Sequence, residues 1–474
     1  MIPATSAAGR RQLLAGASLG LYAAVVALVP GLGVKAALCA PLLAIPLGWW
    51  VLQTPRRWLS LFILMALLLP PLPFAIGNSG PHLALLAACA GLWAGLLRIG
   101  EWRWEADALT VALLALFAIL LGSVAMAALY SGAAIAAGSF ARVLLFGISV
   151  YVFLYLRHGP GAGSRVESFA LIQVMFWAAV ASALFACIDF YYQLPAPAGY
   201  GPQFIWLESG VFRRAQGFFY EASTLGNVCA FFLEMIAVAL FLRRRERPVP
   251  LPPLLAGGIV LASALALSYS RGSLVNVGVA LAALLWMERR RIGLGRLLTG
   301  VALLAATAAA LSIAVPAFAN IYWLRIWSSV QYFTQSPNAV LSGRLQNWAL
   351  LRDFLLAHPW YALLGVGYKT LPYSNFIGTT VIADNTYFSA LIETGFLGLA
   401  AVIALNGAIL AAAYRASKSA GRRSFFGTWM FCFWVGQSVQ MFSVDLLTYW
   451  RVLPLYFCVL ALATRKELGE HPVS

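Results

Sequence analysis

"ADNTYFSALIETGFLGLAAVIAL", residues 383–405, opens on a polar pair and then stays apolar for the width of a bilayer. A spanning helix takes about 20 mostly apolar residues, and this run has that length with one acidic residue, Glu393, inside it. Asp384-Asn385 at its mouth has two readings. Asp384 is a helix N-cap whose carboxylate accepts from the first free backbone amides, or the helix begins at a reaction centre. The rest of the chain has to choose.

Composition makes the membrane reading general. Of 474 residues, 62% are hydrophobic and 10% charged, where a soluble domain carries about 25% charged residues. The expectation is an all-α integral membrane protein, one polytopic domain over 1–474. Spans are expected near 12–31, 34–53, 58–77, 82–99, 107–129, 139–157, 168–191, 217–242, 250–269, 272–288, 297–317, 385–414, 424–444 and 446–463. That is a bundle of about 14 transmembrane helices with both termini on one side. Of the 32 Lys and Arg residues, 22 fall on the side of the termini and 10 on the other, so the termini are cytoplasmic. The net charge of +16 thereby orients the chain and calls for no nucleic acid. "GRRQLLAG" at 9–16 reads as the flank of the first helix rather than an export signal. Six cysteines in apolar runs and four scattered histidines make neither a disulfide framework nor a metal site.

Two outer connections exceed the usual few residues, 192–216 and 318–384, and long loops are commonly functional. The second contains "SGRLQNWALLRDFLLAHPW" (342–360), with Leu345, Trp348, Leu351 and Leu355 on one face. That pattern predicts an amphipathic helix at the membrane surface, stopped by His358-Pro359.

The outward basic residues gather at helix ends: Arg142 at the start of a span, Arg213 and Arg214 entering one helix, Arg271 in a tight turn, Arg344 at the start of the loop helix. A lone arginine there is usually a snorkelling anchor. Several beside carboxylates suit a lipid-linked phosphate or diphosphate, because guanidinium forks onto phosphate oxygens. The outer acids are Asp189, Glu208, Glu221, Asp353, Asp384 and Asp445. Glu221 is expected one turn inside its helix, either paired with Arg214 or Arg271 or at the site. Glu234 and Glu393 lie deeper, with Arg142 a candidate partner, and Asp445 is expected to pair with Arg451.

"SGRLQNWALLRDFLLAHPWYALLGVGY" followed by "DNTYFSALIETGFLGL" resembles the O-antigen ligase and Wzy-type polymerase superfamily. The matching residues are Ser342-Gly343-Arg344, Trp348, His358-Pro359, Gly365, Gly367, Asp384-Asn385 and Glu393-Thr394-Gly395 through Gly398. Upstream, Arg214-Ala215-Gln216-Gly217 and Ser270-Arg271-Gly272 look similar to further family elements, and the whole likeness covers about 210–400. The resemblance implies a GT-C-like membrane glycosyltransferase in the bacterial inner membrane. Its donor would be a glycan on undecaprenyl diphosphate, used at the periplasmic face without nucleotide sugar, cofactor or metal. It implies Arg214, Arg271 and Arg344 on the diphosphate and Asp384 as the base, while a departure from the family pattern at "FFYEAS" (218–223) puts Glu221 forward as a rival base. Arg213, Arg142, His358, Asn385 and Tyr387 are secondary candidates.

Ligases in this superfamily usually carry a histidine where Asp384 stands. That departure favours a polymerase of O-antigen or exopolysaccharide repeat units over a ligase acting on lipid A core. The partners implied are lipid-linked donor and acceptor, membrane lipid, a flippase and a chain-length regulator. A transporter of lipid-linked sugar is the third reading, disfavoured because no paired repeat is legible.

Overall fold

The structure, a computed structural model, describes residues 7–31, 46–72, 81–159, 168–195, 201–207, 210–242, 246–289 and 343–465, with isolated positions 34, 35, 38, 327, 331 and 338. The span expected at 297–317, parts of those at 34–53 and 58–77, Glu208, Ser342 and nearly all of 318–342 lie outside the described residues. The chain falls into two units, residues 1–61 and 62–474. In the first, α1 (Ala7–Leu28) is followed by Lys35, whose ammonium donates to the Ala27 carbonyl at 3.1 Å. A helix end leaves such carbonyls unanswered.

The second unit holds α3 (Ala84–Leu97), α4 (Ala108–Ser131), α5 (Ala133–His158), α6 (Ser168–Tyr192), α7 (Ala222–Leu240), α8 (Leu251–Leu267) and α9 (Arg271–Glu288). Helix α2 (Pro55–Leu68) runs across the division. After them come α10 (Arg344–Ala357), α11 (Tyr361–Leu364), α12 (Thr386–Ser417), α13 (Gly421–Gln440) and α14 (Leu453–Thr464). Among the described residues, five helices are long and apolar enough to cross a membrane: α4, α5, α6, α7 and α12. The chain is a membrane protein by that measure.

One boundary needs correction and two expectations gain detail. The helical architecture carries one exception among the described residues: an antiparallel hairpin pairs β1 (Phe204–Leu207) with β2 (Gly210–Arg213) inside the 192–216 connection. The last expected span starts late, because 446–448 form a 3-10 turn before α14. The loop helix α10 packs its apolar face on protein: Leu351 is fully buried among Val366, Leu371, Val381 and Ile392.

Helix α13 carries Gln437 and Gln440 on a buried face and packs against α7, α9, α12 and α14. Its Trp429 ring lies 4.4 Å from Phe231, and the Trp429 Nε1–H donates to the Phe231 carbonyl at 2.7 Å. An indole buried this way must satisfy its N–H.

The opening run answers to a break. Helix α12 is not continuous, since Gly395 sits at φ 71°, ψ −169°. Breaking a helix strands carbonyls, and here the loop after α11 supplies the donors. Val366 N–H reaches the Ile392 carbonyl at 3.0 Å and Gly367 N–H the Glu393 carbonyl at 2.9 Å. A Cβ on Gly395 would stand 2.2 Å from the Leu363 carbonyl oxygen, and one on Gly365 2.3 Å from the Glu393 backbone. The Gly-x-Gly turn and the Glu-Thr-Gly motif are therefore two halves of one contact.

Candidate active site

Residues from six segments meet in a cavity of about 550 Å³. Arg142 enters from α5, Arg214 from the chain after β2, Arg271 from the first turn of α9 and Arg344 from the first turn of α10. Glu221 comes from the start of α7 and Asp384 from the approach to α12.

Each is set by local backbone chemistry. Arg214 donates its Nε–H to the Ser268 carbonyl at 2.8 Å and its amide to the Gln203 carbonyl at 2.7 Å. The β-hairpin is thus tied to the turn that carries Arg271. That turn is closed by Ser270, the N-cap of α9, whose hydroxyl accepts from Ser273 N–H at 3.4 Å. Arg344 pairs with Asp384, Nε to Oδ2 at 3.2 Å, both partly exposed. Trp348 and Asn347 donate to the carbonyls of Ala383 and Ile382 at 2.6 and 2.9 Å, so α10 grips the segment that presents Asp384. Arg142 stacks over Tyr373, 4.1 Å from its centroid, and pairs with neither Glu234 nor Glu393.

Asp384 is not the cap. Its φ of 46° is left-handed, whereas an N-cap takes an extended backbone. Asn385 does the capping, accepting from Tyr387 and Phe388 N–H, both at 3.0 Å. Glu221 is not one turn inside its helix either: it is the N-cap position of α7, with no capping bond from its side chain. Its Oε2 accepts the Ser223 hydroxyl at 2.9 Å. Although it opens into the cavity, the walls shield it from bulk water, and that desolvation, with the like charges of Asp384 and Asp445, holds its carboxyl above the ordinary range against the Ser223 bond.

Other expectations fall elsewhere. Arg213 is buried against Asp189, away from the cavity. His358 is exposed at the end of α10, and the Tyr387 hydroxyl donates to the Ser438 carbonyl at 3.0 Å. Asp445 pairs with Lys369 rather than Arg451, which donates to the carbonyls of Ala66, Leu69 and Phe218.

Lys369 is the site residue that sequence reasoning passed over. Burial alone would lower its basicity, but the Asp445 carboxylate beside it, with Glu393, holds the ammonium above its ordinary range. The backbone carbonyl of Glu393 accepts from Gly367 N–H at 2.9 Å, so the residue that carries the intramembrane acid also holds the loop. Among the described residues, four non-glycine positions have positive φ, and three of them, Tyr269, Lys369 and Asp384, line this cavity. Such backbone costs about 1–3 kcal/mol apiece and concentrates at functional sites.

A cavity with guanidiniums on several walls and carboxylates between them can hold a polyanion and accept a proton beside it. No group of three or more His, Cys, Asp or Glu residues that could hold a metal ion occurs among the described residues. Residues 256–403 match a family model described as O-antigen ligase. No match to a curated protein was found. Those residues include Arg271, Arg344, Glu393, Asp384 and the broken helix. That match covers about a third of the chain and supports a likeness to the O-antigen ligase/Wzy superfamily.

Proposed function

We propose that this chain is a GT-C-like glycosyltransferase that joins undecaprenyl-diphosphate-linked repeat units into O-antigen or exopolysaccharide. It would work at the periplasmic face of the bacterial inner membrane, as one polytopic domain of about 14 spans with both termini cytoplasmic. The 318–384 segment is then a periplasmic flap. The observation that carries the reading is the convergence of Arg142, Arg214, Arg271 and Arg344 on one cavity with Glu221 and Asp384.

In this reading the arginines bind the donor diphosphate, and their charge grows in value as the bond to it breaks. The acceptor hydroxyl oxygen attacks the anomeric carbon of the donor sugar. As that bond forms, the bond from the anomeric carbon to the diphosphate oxygen breaks, and its electron pair leaves on undecaprenyl diphosphate. The hydroxyl proton passes to a carboxylate. Glu221 suits that role: its carboxylate accepts the Ser223 hydroxyl and is held more basic than an ordinary glutamate. Asp384, 3.2 Å from Arg344, orients that guanidinium and is the second carboxylate within reach.

The match at residues 256–403 is equally compatible with a ligase that uses a separate acceptor, which is the second reading. One assay separates the two: purified protein given a lipid-linked repeat unit alone. A product ladder supports the polymerase, and product only on adding a separate acceptor supports the ligase. No transfer under either condition overturns both. A flippase and a chain-length regulator are the partners a polymerase would need.

A further inference from the structure

A second, smaller cavity of about 60 Å³ adjoins the first. Glu221, Thr448 and Tyr449 line both. Beyond them, the small cavity is walled by Phe219, Tyr220, Thr224, Trp450 and Arg451. Its chemistry differs from that of its neighbour. Arg451 is its basic group, and that guanidinium is committed to the carbonyls of Ala66, Leu69 and Phe218. It also lies 5.0 Å from the Phe219 ring centroid. This cavity is not built for a phosphate.

What it offers is aromatic surface with hydroxyls at one edge. Tyr220 and Trp450 are half-buried and Thr448 is exposed. The Trp450 ring is steadied by His82, edge to face at 5.6 Å. His82 Nδ1 accepts Ala84 N–H at 3.1 Å, so its Nε2–H donates to the Leu69 carbonyl at 2.9 Å. The hydroxyl of Tyr449, a residue 4% exposed, has no hydrogen-bond partner among the described residues. Its polar neighbour, the Ser223 hydroxyl, is already turned to Glu221. An unanswered buried hydroxyl costs roughly 1–3 kcal/mol and stands ready for a ligand group.

A pyranose matches that combination: apolar C–H faces for aromatic rings and a rim of hydroxyls for polar ones. An isoprenoid chain would use none of the hydroxyls. Since a water needs about 10–15 Å³, a cavity of about 60 Å³ admits part of one ring and no chain. We propose that the terminal sugar of the acceptor glycan docks here, against Trp450 and Tyr220, with a hydroxyl between Tyr449 and Glu221. This rests on the transferase reading and adds a division of labour. The donor diphosphate lies among the arginines, the neutral acceptor ring lies in the aromatic cavity, and Glu221 stands at their boundary.

The test uses purified full-length protein and two probes. One is undecaprenyl diphosphate; the other is the repeat oligosaccharide of the source strain, freed from its lipid. Trp450→Ala should weaken oligosaccharide binding about tenfold, the scale of a lost ring stack, and leave the undecaprenyl diphosphate Kd within about twofold. Trp450→Phe, which keeps a ring, should retain most of the oligosaccharide affinity and certifies the fold. Unchanged oligosaccharide binding in Trp450→Ala, or equal weakening of both probes, would overturn the subsite. The transferase reading fails on a different result, an Arg271→Ala protein that binds undecaprenyl diphosphate normally whatever the aromatic variants do.

Discussion

The cavity and the bundle beneath it handle polarity in opposite ways. In the cavity, charges from distant segments face one another: Arg344 with Asp384, Lys369 with Asp445, and Glu221 among them. Deeper, where α7, α9, α13 and α14 meet, the hydrogen-bonded network around Asn227 is built of neutral amides. Asn227 and Asn276 both donate to Gln437 and Gln440 Oε1, at 2.5–3.1 Å, and Gln440 donates to Ser273 at 3.1 Å. Tyr456 closes the set on Asn227. A buried charge is far costlier than a buried amide, so glue is made from amides and chemistry from ions. One place where the two regions touch is Ser273, in the first turn of the helix that begins at Arg271.

That contrast predicts where substitutions strike. Glu221→Gln should have the largest effect, a loss of about 10²–10⁴-fold in transfer rate with the protein still folded, the range for a missing general base. Normal rates in a lipid-linked assay would move the base to Asp384. Arg271→Ala and Arg344→Ala come next, each costing about 10²–10³-fold at unchanged protein level. Normal polymer length in both would defeat the diphosphate role. The pH profile follows from Glu221: a base works when ionised, and its carboxyl is held above the ordinary range. Activity should therefore be present above that raised pKa and disappear as pH falls through it, with the acid limb higher than a solvent-exposed glutamate would give. A limb at the ordinary carboxylate position would exclude Glu221.

The amide network should break differently. Asn227→Leu takes one of two amide donors from Gln437 and Gln440 and strands the Tyr456 hydroxyl, which should cost roughly 1–3 kcal/mol, read as a lower Tm in detergent with residual specific activity in what remains folded. Asn385→Ala, removing the α12 cap, should cost about 1 kcal/mol by the same measure. An equal effect from Asp384→Ala on Tm would restore Asp384 to a capping role.

The helices were legible because hydrophobic runs of spanning length have few alternative readings. Their ends were less so. Asp384 and Asn385 are equally good cap chemistries, and only the left-handed backbone of Asp384 decides between them. Glu221 looked helical because its neighbours are apolar, yet α7 starts one residue later. The four arginines were found by their places at helix ends. Lys369 was passed over because a lysine in a loop looks like an anchor, and its partner Asp445 lies 76 residues away. The hairpin was hidden in a segment whose prolines and glycines read as a loop. Trp450 and Tyr220 had no distinguishing pattern, since aromatic residues are common throughout this chain.

The break at Gly395 sets a limit on movement. Two carbonyls of the interrupted helix are answered by the amides of Val366 and Gly367, so swinging that turn outward would orphan both, at roughly 1–3 kcal/mol each. The turn after α11 is thereby stitched to α12 just before its break.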